Sequence, residues 1–182
     1  MSSLTDFLTK FVVFAFEHMI RNEYLHTERF EFEGGGSIDG LKVVYHTSEN
    51  GWRKGDTRKV IWICHALTAN SDAEDWWPEL VGKGKFFDTE KYFVICVNML
   101  GSSYGSSGPA SVNPETGKPF YFDFPLVTVR DIVRANILVR KHLGIDRIDL
   151  MVGGSIGGFQ SVEWAVMEPE TIRNLALIAC SC

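Results

Sequence analysis

A serine flanked by glycines is the feature of this sequence best suited to chemistry. Gly153-Gly154-Ser155-Ile156-Gly157 fits the pattern G-x-S-x-G, in which the serine occupies a strained turn between a strand and a helix. Gly153 and Gly157 flank the turn where a β-carbon would collide with neighbouring backbone, and glycine has none. A serine exposed in this way is suited to nucleophilic attack on an acyl group. The pattern alone leaves open a phosphate-binding or purely structural turn.

The residues around the serine supply the context that this pattern requires. An apolar run at 148–152 leads into the glycines and predicts a strand. After the serine, Phe159, Val162 and Val166 recur at helical spacing, and Pro169 ends the segment. The serine is therefore expected at a strand-to-helix turn.

An acyl-transferring serine also needs donors for the negative oxygen that forms during attack. One donor is the backbone N–H of the following residue, here Ile156, and the other comes from the loop after the third strand. The apolar run 60–64 is that strand, and the loop that follows it offers the N–H of Leu67. Because loops after neighbouring parallel strands meet at one edge of the sheet, we expect Leu67 and Ile156 to face the same site.

The positions of the histidines in the sequence do not follow the order expected of a catalytic triad. An acid and then a histidine should follow the serine, but all five histidines precede Ser155. His65 is the strongest candidate base, yet its place at the start of a loop favours a role in supporting that loop. The catalytic acid and base are therefore expected beyond Cys182. The sequence predicts the N-terminal part of a longer protein, inactive as it stands.

Alternating strands and helices predict an α/β fold with a mostly parallel sheet and helices on both faces. The run from Phe30 to Tyr45, with a Gly-rich turn inside it, predicts an antiparallel hairpin. The remaining elements are strands at 60–64, 92–100, 148–152 and 174–180, a short helix near 75–80, and an amphipathic helix at 126–143 with Gly144 as its C-cap.

Two regions divide the chain. Residues 1–22 are predicted to be an amphipathic helix of open role, and residues 23–182 an incomplete α/β domain. The apolar run inside the first region is too short to span a bilayer, and its polar face is not basic, which disfavours membrane binding. Docking on the domain or on a partner is the favoured interpretation.

Charge and cysteine usage exclude some functions. A net charge of −5 and a pI near 5.5 argue against a nucleic-acid partner. Cys64 and Cys96 lie in apolar runs and are predicted to be buried, and Cys180 and Cys182 have no partners at metal-ligand spacing. No metal site is expected, and a reducing, cytoplasmic compartment is favoured. The acidic residues between 72 and 75 are expected to mark the start of a helix.

Longer blocks of the sequence resemble one family. The homoserine O-acetyltransferase family is similar over roughly residues 38–180, in the blocks CHALTANSDAEDWW, KYFVICVNMLGSSYGSSGP, SVNPETGKPFYFDFPLVTVRDIVRA and GGSIGGFQSVEWA. The resemblance implies an α/β-hydrolase fold, truncated here before its helical lid and last strands. It implies Ser155 as the nucleophile and the backbone N–H groups of Leu67 and Ile156 as oxyanion donors. The family's catalytic Asp and His lie beyond the end of this chain.

The same resemblance implies an activity. Acetyl would pass from acetyl-CoA to Ser155 and then to the hydroxyl of L-homoserine, an early step of methionine biosynthesis. Acetyl-CoA would be a co-substrate, with no permanently bound cofactor, and the full-length enzyme would be a homodimer. A homoserine O-succinyltransferase, another serine acyltransferase or an esterase of the same fold remain alternatives, as does an inactive fragment that lacks the catalytic Asp and His.

Overall fold

A six-stranded mixed sheet forms the frame of the protein, in a computed structural model that describes residues 19–48 and 51–180. The strands within these ranges are β1 (Ile20–His26), β2 (Phe30–Glu31), β3 (Ser37–Ile38), β4 (Leu41–Thr47), β5 (Lys59–Cys64), β6 (Tyr92–Val97), β7 (Leu150–Gly154) and β8 (Leu175–Ile178). The helices are α1 (Ala73–Trp76), α2 (Val129–Leu143) and α3 (Ile156–Met167). The main sheet has the order β1-β4-β6-β5-β7-β8.

Parallel pairing confirms the predicted fold class. β5 pairs in parallel with β6 on one side and with β7 on the other, and β8 continues beyond β7. β1 and β4 add an antiparallel margin next to β6. Because the four parallel strands run in one direction, the segments that follow β5, β6 and β7 emerge at the same edge of the sheet.

The N-terminal part of the domain differs from the prediction in two ways. The described chain enters β1 at Ile20, so the last residues of the predicted helix at 1–22 belong to a strand, while residues 1–18 lie outside the described residues. β4 pairs with β1 rather than with the segment after Phe30. The Gly-rich turn closes only the small β2–β3 ladder, in which Phe30 pairs with Ile38.

Helices α2 and α3 pack together on one face of the sheet. The indole rings of Trp62 in β5 and Trp164 in α3 are fully buried and meet edge to face, with centroids 4.9 Å apart. α2 begins at Val129 rather than at residue 126, because Thr128 and Asp131 form a capping box. Gly144 ends the helix in the left-handed conformation (φ 69°), as predicted.

The opposite face is covered by α1 and the segment that follows it. Ala73, Val81 and Phe87 are buried there against the sheet. α1 ends at Trp76, earlier than predicted, because Pro78 disfavours the helical conformation at the residue before it. Within the described ranges, no helix combines the length and apolar character needed to cross a bilayer.

Candidate active site

Ser155 is the single residue between the end of β7 and the start of α3, and its backbone conformation is strained. Its φ of 54° and ψ of −121° place it in a region that non-glycine residues rarely adopt. The backbone on both sides holds it there: the Ser155 N–H donates to the carbonyl of Ile178 (3.0 Å), and its own carbonyl accepts from the N–H of Gly158 (2.8 Å). The residue is exposed at the edge where the parallel strands end. This is the geometry predicted for the turn.

Glycines allow the start of α3 to approach the sheet. A β-carbon at Gly157 would overlap the carbonyl oxygen of Cys64, and one at Gly153 would overlap the carbonyl oxygen of Gly157. At Gly154, by contrast, a β-carbon would meet nothing within 4 Å. The two glycines of the G-x-S-x-G pattern are thus required by close packing, whereas the glycine between them is not.

The loop after β5 lies against the serine turn. A β-carbon at Gly157 would overlap the carbonyl groups of Cys64 and His65, so the first residues of this loop lie close against the start of α3. Leu67 follows two residues later, with 67% of its surface exposed. Within the described ranges, no backbone carbonyl outside the regular elements accepts the N–H of Leu67 or Ile156. Both predicted donors belong to segments that meet at this edge.

His65 is buried and engaged through both ring nitrogens. The Met99 N–H donates to Nε2 (3.2 Å), so Nε2 carries no proton, and Nδ1 therefore carries the proton that it donates to the Ala66 carbonyl (2.8 Å). Burial lowers the pKa of His65, opposed by this bond to Ala66. A neutral histidine with both nitrogens occupied has no free position for accepting a proton from Ser155. The predicted supporting role is confirmed.

The loop after β6 completes this edge of the sheet, and two of its side chains were not singled out from the sequence. The Asn98 side chain accepts from the Ser71 N–H (2.7 Å) and donates to the Tyr104 carbonyl (2.9 Å). The Tyr104 hydroxyl donates to the carbonyl of Thr68 (3.1 Å). The available signal was position: Asn98 directly follows a buried strand, at the edge that Ser155 also occupies.

The remaining described histidines have other surroundings. The rings of His26 and His142 lie beside Tyr24, between β1 and α2. His46 contacts the Ser71 hydroxyl through Nδ1 (2.7 Å), and burial lowers its pKa. Among the described residues, none of these rings forms a hydrogen bond with Ser155.

The carboxylates that follow the serine in α3 are also in use elsewhere. Glu163 pairs with Arg130 of α2 (2.5 Å). Glu168, at the end of α3, accepts from the Trp164 indole N–H (2.9 Å) and pairs with Arg140 (3.2 Å). These contacts join α2 to α3, so both carboxylates serve helix packing.

Two cysteines of the described part of the chain lie inside the sheet, in β5 and β6. Cys64 and Cys96 are buried, as predicted, neither forms a disulfide, and burial raises the pKa of the Cys64 thiol to about 12. Within residues 19–48 and 51–180 there is no group of three or more metal-ligating side chains. Asp72 precedes α1, which agrees with the helix start predicted for this acidic stretch.

Known proteins share the sequence and the fold of this chain. A curated homoserine O-acetyltransferase from Trichormus variabilis is 45% identical over 166 residues, which are 88% of this chain and 45% of that protein. The crystal structure of a homoserine O-acetyltransferase from Bacillus anthracis superposes with a TM-score of 0.77 at 31% identity, covering 89% of this chain and 47% of that one. An acetylester hydrolase from Corynebacterium glutamicum gives a TM-score of 0.75 at 29% identity, covering 89% and 44%.

These matches confirm the resemblance to homoserine O-acetyltransferases. The chain spans about half the length of the relatives that it matches. A protein-family model for the alpha/beta hydrolase fold matches residues 59–181 of this sequence, which include β5, the serine turn and β8. The chain therefore belongs to the α/β-hydrolase fold family.

Proposed function

We propose that this chain is the N-terminal part of a homoserine O-acetyltransferase, and that Ser155 is its nucleophile. The observation that carries the proposal is the strained, exposed serine at φ 54°, set against the loop after β5. Identity of 45% to a curated homoserine O-acetyltransferase supports this activity over others of the same fold.

In the proposed reaction, the Ser155 hydroxyl attacks the thioester of acetyl-CoA. The oxygen that becomes negative is held by the backbone N–H groups of Leu67 and Ile156, and the CoA thiol leaves. The hydroxyl of L-homoserine then attacks the acetyl-serine and regenerates Ser155. A transferase differs from an esterase in which acceptor reaches the acetyl-serine first, so water must be kept away from it.

The acid and base of this reaction are proposed to lie outside the present chain. Among the described residues, no histidine forms a hydrogen bond with Ser155, and both ring nitrogens of His65 are bonded to backbone groups. A separate Asp and His, supplied by the part of the relatives that this chain does not match, would remove the proton from Ser155. We also propose that the longer enzyme is a homodimer, from the family resemblance. A cytoplasmic location is proposed because the described cysteines are free thiols.

The decisive experiment follows the acetyl group. The longer enzyme that contains this chain is incubated with acetyl-CoA alone and digested with a protease. The mass of the peptide that contains Ser155 is then measured by mass spectrometry. An added acetyl group on that peptide is expected, and Ser155→Ala should lose it together with several orders of magnitude in turnover. An adduct on another residue, or full activity of Ser155→Ala, would contradict the assignment.

An acetylester hydrolase is the second candidate, because a solved structure of that activity superposes almost as well. Adding L-homoserine to the acetylated enzyme separates the two. Formation of O-acetylhomoserine in place of free acetate supports the transferase, and acetate release at an unchanged rate supports the hydrolase. Repeating the assay with succinyl-CoA distinguishes the succinyltransferase alternative.

A further inference from the structure

We propose that the side chains of His65, Asn98 and Tyr104 form a loop clamp that fixes the backbone N–H of Leu67 in position for the oxyanion. The clamp joins the loop after β5 to the loop after β6. It makes His65 and Tyr104 positioning residues for acyl transfer, and in this respect the inference rests on the proposed function.

Two bonds of the loop clamp bracket Leu67. On one side, the Met99 N–H donates to Nε2 of His65 (3.2 Å). On the other side, the Tyr104 hydroxyl donates to the carbonyl of Thr68 (3.1 Å). Leu67 therefore lies between two points at which its loop is tied to the neighbouring one.

A third bond anchors the same loop further along. Asn98 Oδ1 accepts from the N–H of Ser71 (2.7 Å), while Nδ2 of the same amide donates to the carbonyl of Tyr104 (2.9 Å). Asn98 is buried, and its backbone carbonyl accepts from the Ser106 hydroxyl (3.0 Å). One amide thus fixes the loop after β5 and also the turn that presents Tyr104.

The protonation state of His65 is part of the clamp. Only the neutral ring with its proton on Nδ1 accepts from Met99 and donates to Ala66 at the same time. Burial lowers the pKa of His65, which favours this neutral form. Among the described residues, burial is the larger cause of this shift in pKa, and the bond to the Ala66 carbonyl opposes it. A proton on Nε2 would remove the acceptor and release one side of the clamp.

Leu67 requires such support because its own loop is exposed. Its side chain is 67% accessible, and the turn around it is closed by the bond from the Ala69 N–H to the Ala66 carbonyl (3.0 Å). A backbone donor stabilises a developing negative charge when it is already in place before the reaction. Small displacements of such a group lower the rate of the chemical step far more than they weaken substrate binding.

Two substitutions at His65 separate the clamp from general stability. His65→Gln places a side-chain oxygen near the position of Nε2 and can still accept from Met99, whereas His65→Asn retains only a donor near Nδ1. In the longer enzyme, His65→Asn is expected to lower kcat about 10- to 100-fold with the KM for homoserine unchanged. His65→Gln should restore most of that loss.

Tyr104→Phe tests the second attachment. It removes only the hydroxyl that donates to Thr68, and a smaller loss in kcat, again without a change in KM, is expected. Tyr24→Phe is the matched control, because that ring lies beside His26 and His142, away from the clamp, and kcat should stay at the wild-type value. Unchanged kcat in His65→Asn would overturn the proposal. So would equal losses in both His65 variants that follow their melting temperatures.

A separate readout keeps the clamp testable if acyl transfer itself is wrong. Absence of acetyl on Ser155 in the wild-type enzyme rejects the proposed function, and the loop geometry is then judged by amide hydrogen exchange in the same longer protein. Faster exchange at Leu67 and Met99 in His65→Asn than in His65→Gln supports the clamp. Identical exchange in the two variants rejects it.

Discussion

Helices α2 and α3 lie side by side on one face of the sheet, but they differ in which of their residues are buried. Most of the side chains that α2 buries are apolar, such as Ile132 and Val133, and its two buried charged residues, Asp131 and Arg140, form ion pairs. α3 buries Gly157 and Gly158 with Gln160, Ser161 and Trp164, and leaves Phe159, Val162 and Val166 between 36% and 70% exposed. The helix next to the candidate nucleophile thus departs from the usual amphipathic arrangement.

The residues that precede the two helices, Thr128 and Ser155, also differ in how they are bonded. The Thr128 hydroxyl oxygen accepts from the Asp131 N–H (3.2 Å) at the start of α2, and the Asp131 carboxylate accepts from the Thr128 N–H (3.1 Å). Ser155 precedes α3 with a strained backbone and no side-chain capping bond. α2 follows rules of helix stability, whereas the start of α3 is shaped by the close approach that exposes a serine.

The largest effect is expected from Gly157→Ala at the start of α3. Alanine favours a helix over glycine by about 1 kcal/mol, yet here its β-carbon would overlap the carbonyl oxygen of Cys64. We expect a net loss of about 3 kcal/mol or more in the free energy of unfolding, measured by urea denaturation with tryptophan fluorescence. Gly154→Ala is the control and should change stability by less than about 0.5 kcal/mol. Equal behaviour of the two would mean that the approach is not tight.

The exposed and buried valines of the two helices provide a second test. Val133→Ala in α2 removes a fully buried side chain and should cost about 2 kcal/mol in the 182-residue chain. Val166→Ala in α3 removes a side chain that is 70% exposed and should be neutral within about 0.5 kcal/mol. A comparable loss at Val166, measured in the same urea series, would show that a further segment covers α3.

The helix caps are expected to give smaller and opposite changes. Thr128→Ala should cost about 1 kcal/mol, because a capping bond is lost. Ser155→Ala should leave stability unchanged, and Ser155→Gly should raise it by about 1 kcal/mol, since glycine tolerates a positive φ. Thermal melts of the three variants check this. A loss in Ser155→Ala as large as that in Thr128→Ala would contradict the absence of a cap at α3.

Mild acid is expected to produce the smallest effect and to act at the serine end of α3. Burial holds the pKa of His65 below its ordinary value of 6.5, so the unfolded chain takes up a proton before the folded one does. The contribution of His65 to stability is therefore present above pH 6.5 and is lost as the pH falls toward the lowered pKa. His46, whose pKa is also lowered by burial, adds in the same direction.

Hydrogen exchange at pH 7.5 and pH 5.5 localises this effect. After correction for intrinsic rates, protection should fall around His65 and the first turn of α3 and stay constant in α2. The effect of His65 appears at a higher pH than that of Asp88. Bonds from Lys91 and from nearby backbone N–H groups hold the pKa of the Asp88 carboxyl at about 2. Asp88 therefore loses its contribution only below its ordinary value of 3.8. A uniform loss over both helices at pH 5.5 would contradict the assignment to His65.

Short-range patterns in the sequence were sufficient for much of the fold. Continuous apolar runs predicted β5 and β6, and the spacing of apolar residues with Gly144 predicted α2 and its end. The start of α2 was placed three residues early, because the capping box at Thr128 had not been recognised. β1 was missed because its polar, half-exposed residues form the margin of the sheet and lack a clear apolar alternation.

For the candidate site, the G-x-S-x-G pattern by itself determined the position of Ser155 and the need for Gly153 and Gly157, because a sharp turn restricts residue type locally. Only the tertiary structure decided which side chains surround that turn. It paired His65 with Met99, Tyr104 with Thr68 and Asn98 with Ser71. It also buried Gln160, Ser161 and Trp164 of α3 together with its glycines, and left Phe159, Val162 and Val166 exposed. These contacts join residues far apart in the chain, so their geometry follows from strand order and packing, which local sequence does not specify.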